Sequence, residues 1–184
     1  MAGKSEVDTG VESDTHGRRD EIQMCQGAPP LIHGTTLARN MEFNVVMFAL
    51  LLNLPWEILQ APLFAGMADA PFADAIQGCA RGTAGDAVIL LLAYWTVSAI
   101  VGSRQWILDP SNGQLTLLVV LGVVVTLAIE SLATRGYWVQ TWSYARTMPV
   151  VPVIEVGITP LIQWTVLPQL VAWFVRRQLA DCKK

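Results

Sequence analysis

Residues 115–134 decide the fold: they read LTLLVVLGVVVTLAIESLAT, and Glu130 is their single charged residue. A helix rises about 1.5 Å per residue, so about 20 residues cross the ~30 Å hydrocarbon core of a bilayer. The valine-rich residues 119–125 favour a β-strand in water. A segment that crosses lipid must satisfy its own backbone hydrogen bonds, however, and a single segment does so only as a helix. The stretch therefore predicts a transmembrane helix.

Three further apolar runs are long enough to cross a membrane, at residues 41–63, 84–102 and 153–175. The second and third helices are separated by the turn-forming sequence DPSNG at 109–113. Between the first and second, Pro71 favours the start of a short interfacial helix. The predicted fold is all-α: an integral membrane four-helix bundle with short loops, whose transmembrane domain covers residues 41–177.

The composition agrees with a membrane protein. Hydrophobic residues make up 53% of the chain and charged residues 15%, against about 25% charged residues in soluble domains. The net charge is −3 without a basic stripe, so nucleic acid is not expected as a partner. The three cysteines are far apart, and both histidines precede residue 40, so neither a metal site nor a cofactor is expected.

The ends of the chain and the distribution of Lys and Arg predict the orientation. Residues 1–40 are polar and without helical periodicity, which predicts a disordered tail, and residues 178–184 are predicted to be a second tail. On the side of both termini the cations near the membrane are Arg39, Arg104, Arg176, Arg177, Lys183 and Lys184, and on the opposite side they are Arg81, Arg135 and Arg146. Cytoplasmic segments carry the excess of Lys and Arg, so both tails are predicted to be cytoplasmic and the protein to lie in the inner (plasma) membrane.

Carboxylates inside or near the apolar runs are the most informative feature for function. Glu57 and Glu130 lie within runs, and Asp86 and Glu155 lie near the ends of runs. An acidic residue at the centre of a membrane helix costs about 2.5–3.5 kcal/mol, so such a residue usually has a structural or functional reason. The alternating helix directions put all four toward the outer side of the membrane.

On three of the predicted helices these carboxylates share one face with polar or small residues, because residues three or four positions apart lie on the same side of a helix. The stripes are Asn53, Glu57 and Gln60; Gly122, Thr126, Glu130 and Thr134; and Glu155, Thr159 and Gln163. Small residues at this spacing allow membrane helices to approach closely. The stripes are therefore predicted to face the interior of the bundle.

Each carboxylate also has a structural interpretation. Asp86 follows Thr83 by three residues, which fits a capping box at a helix start. Glu155 follows Pro152 in the predicted first turn of the fourth helix, where the helix dipole favours a carboxylate. Glu130 is close enough in sequence to pair with Arg135.

The functional interpretation makes Glu57 and Glu130 catalytic, because a protonated carboxyl group in the membrane can act as a general acid. The tryptophans either form an interfacial belt or line an apolar pocket and stabilise a cation over their ring faces. The residues predicted to bind a substrate are Asn53, Trp56, Gln60, Asp86, Trp138, Trp142, Tyr144, Glu155 and Gln163.

Two resemblances bear on this interpretation. The segments NLPWE at 53–57 and 148–163, from Met148-Pro149 through Pro160 and Gln163, resemble a family of uncharacterised small multi-pass bacterial inner-membrane proteins. That likeness covers most of residues 42–177 and implies no activity. Asn53, Trp56 and Glu57 are also similar to the first acidic helix of integral-membrane terpene cyclases, which usually have more helices. This second resemblance implies a membrane carboxylic acid that protonates an isoprenoid.

Three functions remain open from the sequence. The first is a membrane enzyme that acts on a lipid-like or isoprenoid substrate. The second is a small proton-coupled transporter, in which Glu57 and Glu130 alternate between a proton and a cationic substrate, and which would need a homo-oligomer to enclose a path. The third is a non-catalytic assembly subunit whose carboxylates only join helices. In each case the surrounding membrane lipid is a partner.

Overall fold

The computed structural model describes residues 40–138 and 141–181. Apart from Asn40, the predicted disordered tail lies outside these residues, and so do residues 182–184. Within them, four helices are long and apolar enough to cross a membrane. They are α1 (Met41–Gln60), α2 (Phe72–Val101), α3 (Asn112–Thr134) and α4 (Ile158–Asp181). The prediction of an all-α four-helix membrane bundle is confirmed.

The helices pack in a ring, each against the next and α4 against α1. Because neighbours run in opposite directions, the bundle has two ends. The terminal end contains Asn40, residues 102–111 and the end of α4. The hairpin end contains residues 61–71 and 135–157, which include the antiparallel strands β1 (Val150–Val151) and β2 (Val156–Gly157).

Apolar and polar residues are distributed as expected for a bundle in lipid. Large apolar side chains on the outer surface are more than half exposed, among them Leu51, Leu59 and Ile100. Polar side chains lie inside instead, including Asn53, Gln60, Thr126, Glu130 and Gln163. An apolar outer surface of this kind is favourable in contact with lipid and unfavourable in contact with water. The prediction that the polar stripes of α1 and α3 face inward is confirmed.

At the terminal end, side chains fix the connection between α2 and α3. The indole Nε1 of buried Trp106 donates to Ser98 Oγ at 3.0 Å, and the Tyr94 hydroxyl donates to Arg104 O at 2.7 Å. Ser111, inside the predicted turn sequence, caps α3 in a capping box with Gln114. These contacts hold the terminal end together at a distance from the carboxylates.

The start of α2 differs from the prediction. Pro71 precedes the first residue as expected, but α2 continues without a break from Phe72 to Val101. The predicted interfacial helix is therefore the first part of α2, which does not begin at residue 84. Small and polar residues at 81–86 (RGTAGD) lower the local hydropathy and conceal this continuity. Asp86 lies well inside the helix, so its capping box with Thr83 is wrong.

The start of α4 also differs. Residues 153–157 belong to the β1–β2 hairpin, and α4 begins at Ile158 and continues to Asp181, past the predicted end at Val175. Residues 178–181 are therefore helical and not part of a tail. Glu155 is exposed in the hairpin turn with φ +55°, so its predicted place in the first turn of a helix is wrong. The β-branched valines that pair in the hairpin explain the difference, because they favour strands outside lipid.

Candidate functional site

A cavity of about 1220 Å³ lies toward the hairpin end of the bundle, and all four helices and both connections of that end contribute to its wall. Pockets for drug-sized ligands measure about 300–1,000 Å³, so this cavity can accommodate a lipid-sized molecule. Its lining includes Val88 on α2 and Trp138 after α3, which are 57% and 42% exposed. The cavity is therefore not sealed, and part of its wall belongs to helices that are long and apolar enough to cross a membrane.

The amide of Gln163 joins three helices on one side of the cavity. Its Nε2 donates to Asn53 Oδ1 on α1 at 2.8 Å and to Asp86 Oδ2 on α2 at 2.6 Å. The same nitrogen lies 3.4 Å from Glu57 Oε1. Two carboxyl groups that share one amide donor lie close to each other, so Glu57 and Asp86 can exchange a proton directly.

A second amide, that of Gln60, completes the contacts of Glu57. Trp56 Nε1 donates to Gln60 Oε1 at 3.1 Å, which turns the nitrogen of the Gln60 amide toward the cavity. That nitrogen donates to Glu57 Oε1 at 2.7 Å and to Gln163 Oε1 at 3.2 Å. Trp56 therefore positions Gln60 and does not line the cavity.

Gly82 provides the space that Glu57 occupies. A Cβ atom on Gly82 would lie 2.6 Å from Glu57 Oε2 and 3.0 Å from its Cδ. Only glycine lets the backbone of α2 come this close to the carboxyl group. Gly82 belongs to the sequence RGTAGD, whose low hydropathy makes α2 look shorter than it is. The same glycine leaves room for the Glu57 carboxyl group of α1.

Glu130 has a separate set of contacts on the opposite side of the cavity. Trp142 Nε1 donates to its Oε2 at 3.1 Å, and the Tyr144 hydroxyl donates to the same oxygen. Both donors come from the connection between α3 and α4. The predicted pairing with Arg135 is wrong, because Arg135 is exposed and forms no ion pair with any residue that the structure describes.

Tyr144 anchors this set of contacts to both connections of the hairpin end. Its hydroxyl accepts from the backbone N–H of Gly157 at 3.0 Å, and its ring lies 5.7 Å from that of Phe64. Burial, and then the hydrogen bond with Glu130, raise the pKa of the Tyr144 hydroxyl. The phenol therefore keeps its proton at neutral pH and donates a hydrogen bond to the Glu130 carboxyl group.

The three carboxyl groups belong to one site. Glu57, Asp86 and Glu130 all line the cavity, and Asp86 lies close enough to the other two to interact with their charges. Among residues 40–138 and 141–181, no group of three or more His, Cys, Asp or Glu side chains is arranged to hold a metal ion. The site offers proton donors and acceptors on three helices around an apolar space.

Most residues predicted to form the site lie together, and seven of them line the cavity: Glu57, Gln60, Asp86, Glu130, Trp138, Trp142 and Gln163. Asn53, Trp56 and Tyr144 do not line it but hydrogen-bond residues that do. Glu155, in the exposed hairpin turn, is not part of its lining.

Several residues that line the cavity were not predicted from the sequence. Gly82, Arg81 and Trp164 were not among the expected site residues, and Thr126 was recognised only as part of a packing stripe. Trp164 sits where α3 has no side chain, because a Cβ atom on Gly122 would lie 2.1 Å from its ring. A signal for Arg81 did exist in the sequence, since it is a cation three residues before the apolar run that begins at residue 84.

No protein-family model matches the chain, and no curated protein or solved structure matches it either. The two resemblances noted from the sequence therefore remain expectations.

Proposed function

We propose that the cavity is the active site of a membrane-embedded acid–base enzyme that isomerises a lipid-like or isoprenoid substrate by moving protons. One observation carries the proposal: carboxyl groups from three membrane-spanning helices meet in one large open cavity. Acidic residues are costly inside a membrane, and a bundle that only needed to pack would not direct three of them into an open space.

The reaction starts from the protonated carboxyl group of Glu57. It donates its proton to one carbon of a substrate C=C bond, whose π electrons form the new C–H bond and leave a positive charge on the neighbouring carbon. The ring faces of Trp138 and Trp142 are available to stabilise that charge. The carboxylate of Glu130 then removes a proton from an adjacent carbon, and the C–H electrons form a new C=C bond. Substrate and product are isomers, so no oxidant or reductant is required.

The contacts of each carboxyl group suit these roles. Glu57 lies beside Asp86, with which it can share a proton, and amide groups hold both. Glu130 receives two hydrogen bonds on one oxygen, from Trp142 and Tyr144, and such donors favour a carboxylate. After each turnover Glu130 gives its proton to water and Glu57 takes one from water, so both carboxyl groups return to their starting forms.

A second function is favoured by a different observation. The hydrogen bonds of Gln163 join α1, α2 and α4, as they would in an assembly subunit whose carboxylates only hold helices together. The two functions differ in their response to Glu57→Gln, which keeps the shape and hydrogen-bonding capacity of the side chain but cannot donate a proton as an acid.

The experiment starts with the lipid-like molecules that co-purify with the protein, identified by mass spectrometry. They are incubated with wild-type protein, with Glu57→Gln and with the control Glu155→Gln, whose exposed side chain lies in the hairpin turn. The wild type and Glu155→Gln should both produce an isomer that Glu57→Gln does not, while all three melt at similar temperatures. If Glu57→Gln formed the isomer at the wild-type rate, the acid–base function would fail and the assembly function would be favoured.

We further propose that the protein lies in the inner (plasma) membrane with both termini in the cytoplasm and the cavity in the outer leaflet. The excess of Lys and Arg at the terminal end supports this orientation. The test uses protein whose native cysteines are replaced by Ser. A membrane-impermeant maleimide added to intact cells should label Thr147→Cys at the hairpin end and should label Gln105→Cys only after permeabilisation. The reverse pattern would contradict the orientation.

A further inference from the structure

We propose that the substrate is an anionic amphiphile whose headgroup binds Arg81 at the mouth of the cavity. The inference rests on the proposed function and names the substrate class of the same site. It is carried by Arg81, a residue that lines the cavity and that the proposed chemistry does not use.

The length of α2 places Arg81 at the surface of the membrane. The helix has 30 residues, so it is about 45 Å long at 1.5 Å per residue, whereas the hydrocarbon core is only ~30 Å thick. If Val101 lies near the boundary at the terminal end, about 20 residues of α2 cross the core and the crossing ends near residue 82. Arg81 then lies at the opposite boundary, at the depth of lipid headgroups.

Arg81 is a cation without a partner in the part of the chain that the structure describes. Its side chain is exposed, lines the cavity and forms no ion pair with a described residue. Arg135 and Arg146 are also exposed at the hairpin end, but neither lines the cavity. A guanidinium group binds phosphate or carboxylate with paired hydrogen bonds, so an anion is the ligand that fits Arg81, and a cationic substrate is disfavoured.

The distance between Arg81 and the carboxyl groups then locates the reaction on the substrate. Asp86 follows Arg81 by five residues, which is about 7.5 Å along the helix axis. Val88, two residues after Asp86 on α2, lines the same cavity and is exposed, so we expect the substrate to bind with its headgroup at the boundary and its apolar chain along this part of α2. The atoms that react are therefore a few bonds below the headgroup and not at the far end of the chain.

The test measures lipid binding to the detergent-purified full chain by native mass spectrometry. Phosphatidylglycerol and phosphatidylcholine with the same acyl chains are compared. The wild type should prefer phosphatidylglycerol by about tenfold, the size expected for one or two hydrogen bonds to a charged group. Arg81→Gln should lose most of this preference and the matched control Arg146→Gln should keep it.

Each remaining outcome has a definite meaning. If Arg81→Gln kept the preference, or if Arg146→Gln lost it equally, the headgroup site would be wrong. If millimolar inorganic phosphate displaced phosphatidylglycerol while leaving phosphatidylcholine bound, the site would bind a free anion and not an amphiphile. Glu57→Gln should bind lipid like the wild type, so failure of the acid–base function and failure of this inference are distinguishable.

Discussion

At the scale of single residues, Gly82 controls the position of the proposed acid. Its missing side chain leaves room for the Glu57 carboxyl group, which would be 2.6 Å from an added Cβ atom. That carboxyl oxygen is at the end of a flexible side chain, so Gly82→Ala should leave the fold intact and move Glu57 away from its amide donors. Because a misplacement of about 1 Å can cost about 100-fold in rate, we expect a comparable loss of activity.

The control for this prediction is Gly113→Ala in the first turn of α3, at the terminal end. A Cβ atom there meets nothing closer than Ser111 Oγ at 4.0 Å. Melting temperature and turnover are measured for both variants. Full activity in Gly82→Ala would mean that the position of Glu57 against α2 does not matter for the reaction.

The hydrogen bonds of Tyr144 lead to a prediction about the stability of the protein and its dependence on pH. Tyr144→Phe removes the hydroxyl group between Glu130 and Gly157, and hydrogen bonds to charged groups contribute about 1.5–3 kcal/mol. The variant should therefore melt at a lower temperature than the wild type at pH 8. Since the pKa of Tyr144 is raised in the folded protein, the unfolded chain ionises first, near the ordinary pKa of about 10. The stabilisation is complete below that pH and decreases above it.

The melting temperatures of wild type and Tyr144→Phe should begin to converge above about pH 10. They are measured in the same detergent across the pH range. A gap between the two proteins that stays constant to pH 11 would show that the Tyr144 hydroxyl is not held in its neutral form by the fold.

Residue patterns in the sequence identify some residues of the site but not which of them contact one another. The spacing of Asn53, Glu57 and Gln60 indicates a shared inward face, because it depends only on the period of a helix. The contact of Gln163 with Asp86 depends on how two helices align across the bundle, which no local pattern determines. Gly82 could not be recognised for the same reason, since its role is to admit a side chain from another helix.

At the scale of elements, the lengths of α2 and α4 were predicted less well than their existence. Hydropathy predicts the most apolar part of a helix, and residues 84–102 cover that part of α2. It does not predict the helical turns that precede the apolar run, such as the first turns of α2 from Phe72. The valines before α4 gave an apolar run that was long enough for a helix, although residues 153–157 form a hairpin outside the helix.

The close packing of α3 against α4 leads to a prediction about the stability of the protein. A Cβ atom on Gly122 would lie 2.1 Å from Trp164 Cε3 and 2.5 Å from Cζ3, and the ring is buried and rigid. Gly122→Ala must therefore push the two helices apart or displace the ring, and overpacking of this kind costs about 1–3 kcal/mol. A marked decrease in the melting temperature is expected.

A second substitution shows whether Trp164 is the cause. In the double variant Gly122→Ala/Trp164→Phe, the smaller ring should recover part of the lost stability relative to the sum of the single variants. Additive effects would mean that Gly122 is not in contact with Trp164 and that α3 and α4 align differently.

At the scale of the whole molecule, four apolar runs were enough to predict the bundle, because lipid permits few alternatives to a helix. The ring of antiparallel helices also brings the carboxylates of α1, α2 and α3 to the same half of the bundle. The sequence therefore predicts a layer of carboxylates. The cavity between them arises from the arrangement of whole helices and has no counterpart in any single segment.

The most direct test of the central claim is the number of solvent deuterons in the product formed by purified protein in D2O. A proton donated from Glu57 to carbon comes from a carboxyl group that exchanges with solvent. Wild type and Glu155→Gln should therefore give an isomer with one deuterium bound to carbon, and Glu57→Gln should give no labelled isomer. An unlabelled isomer from the wild type, or equal labelling by Glu57→Gln, would contradict proton transfer from Glu57.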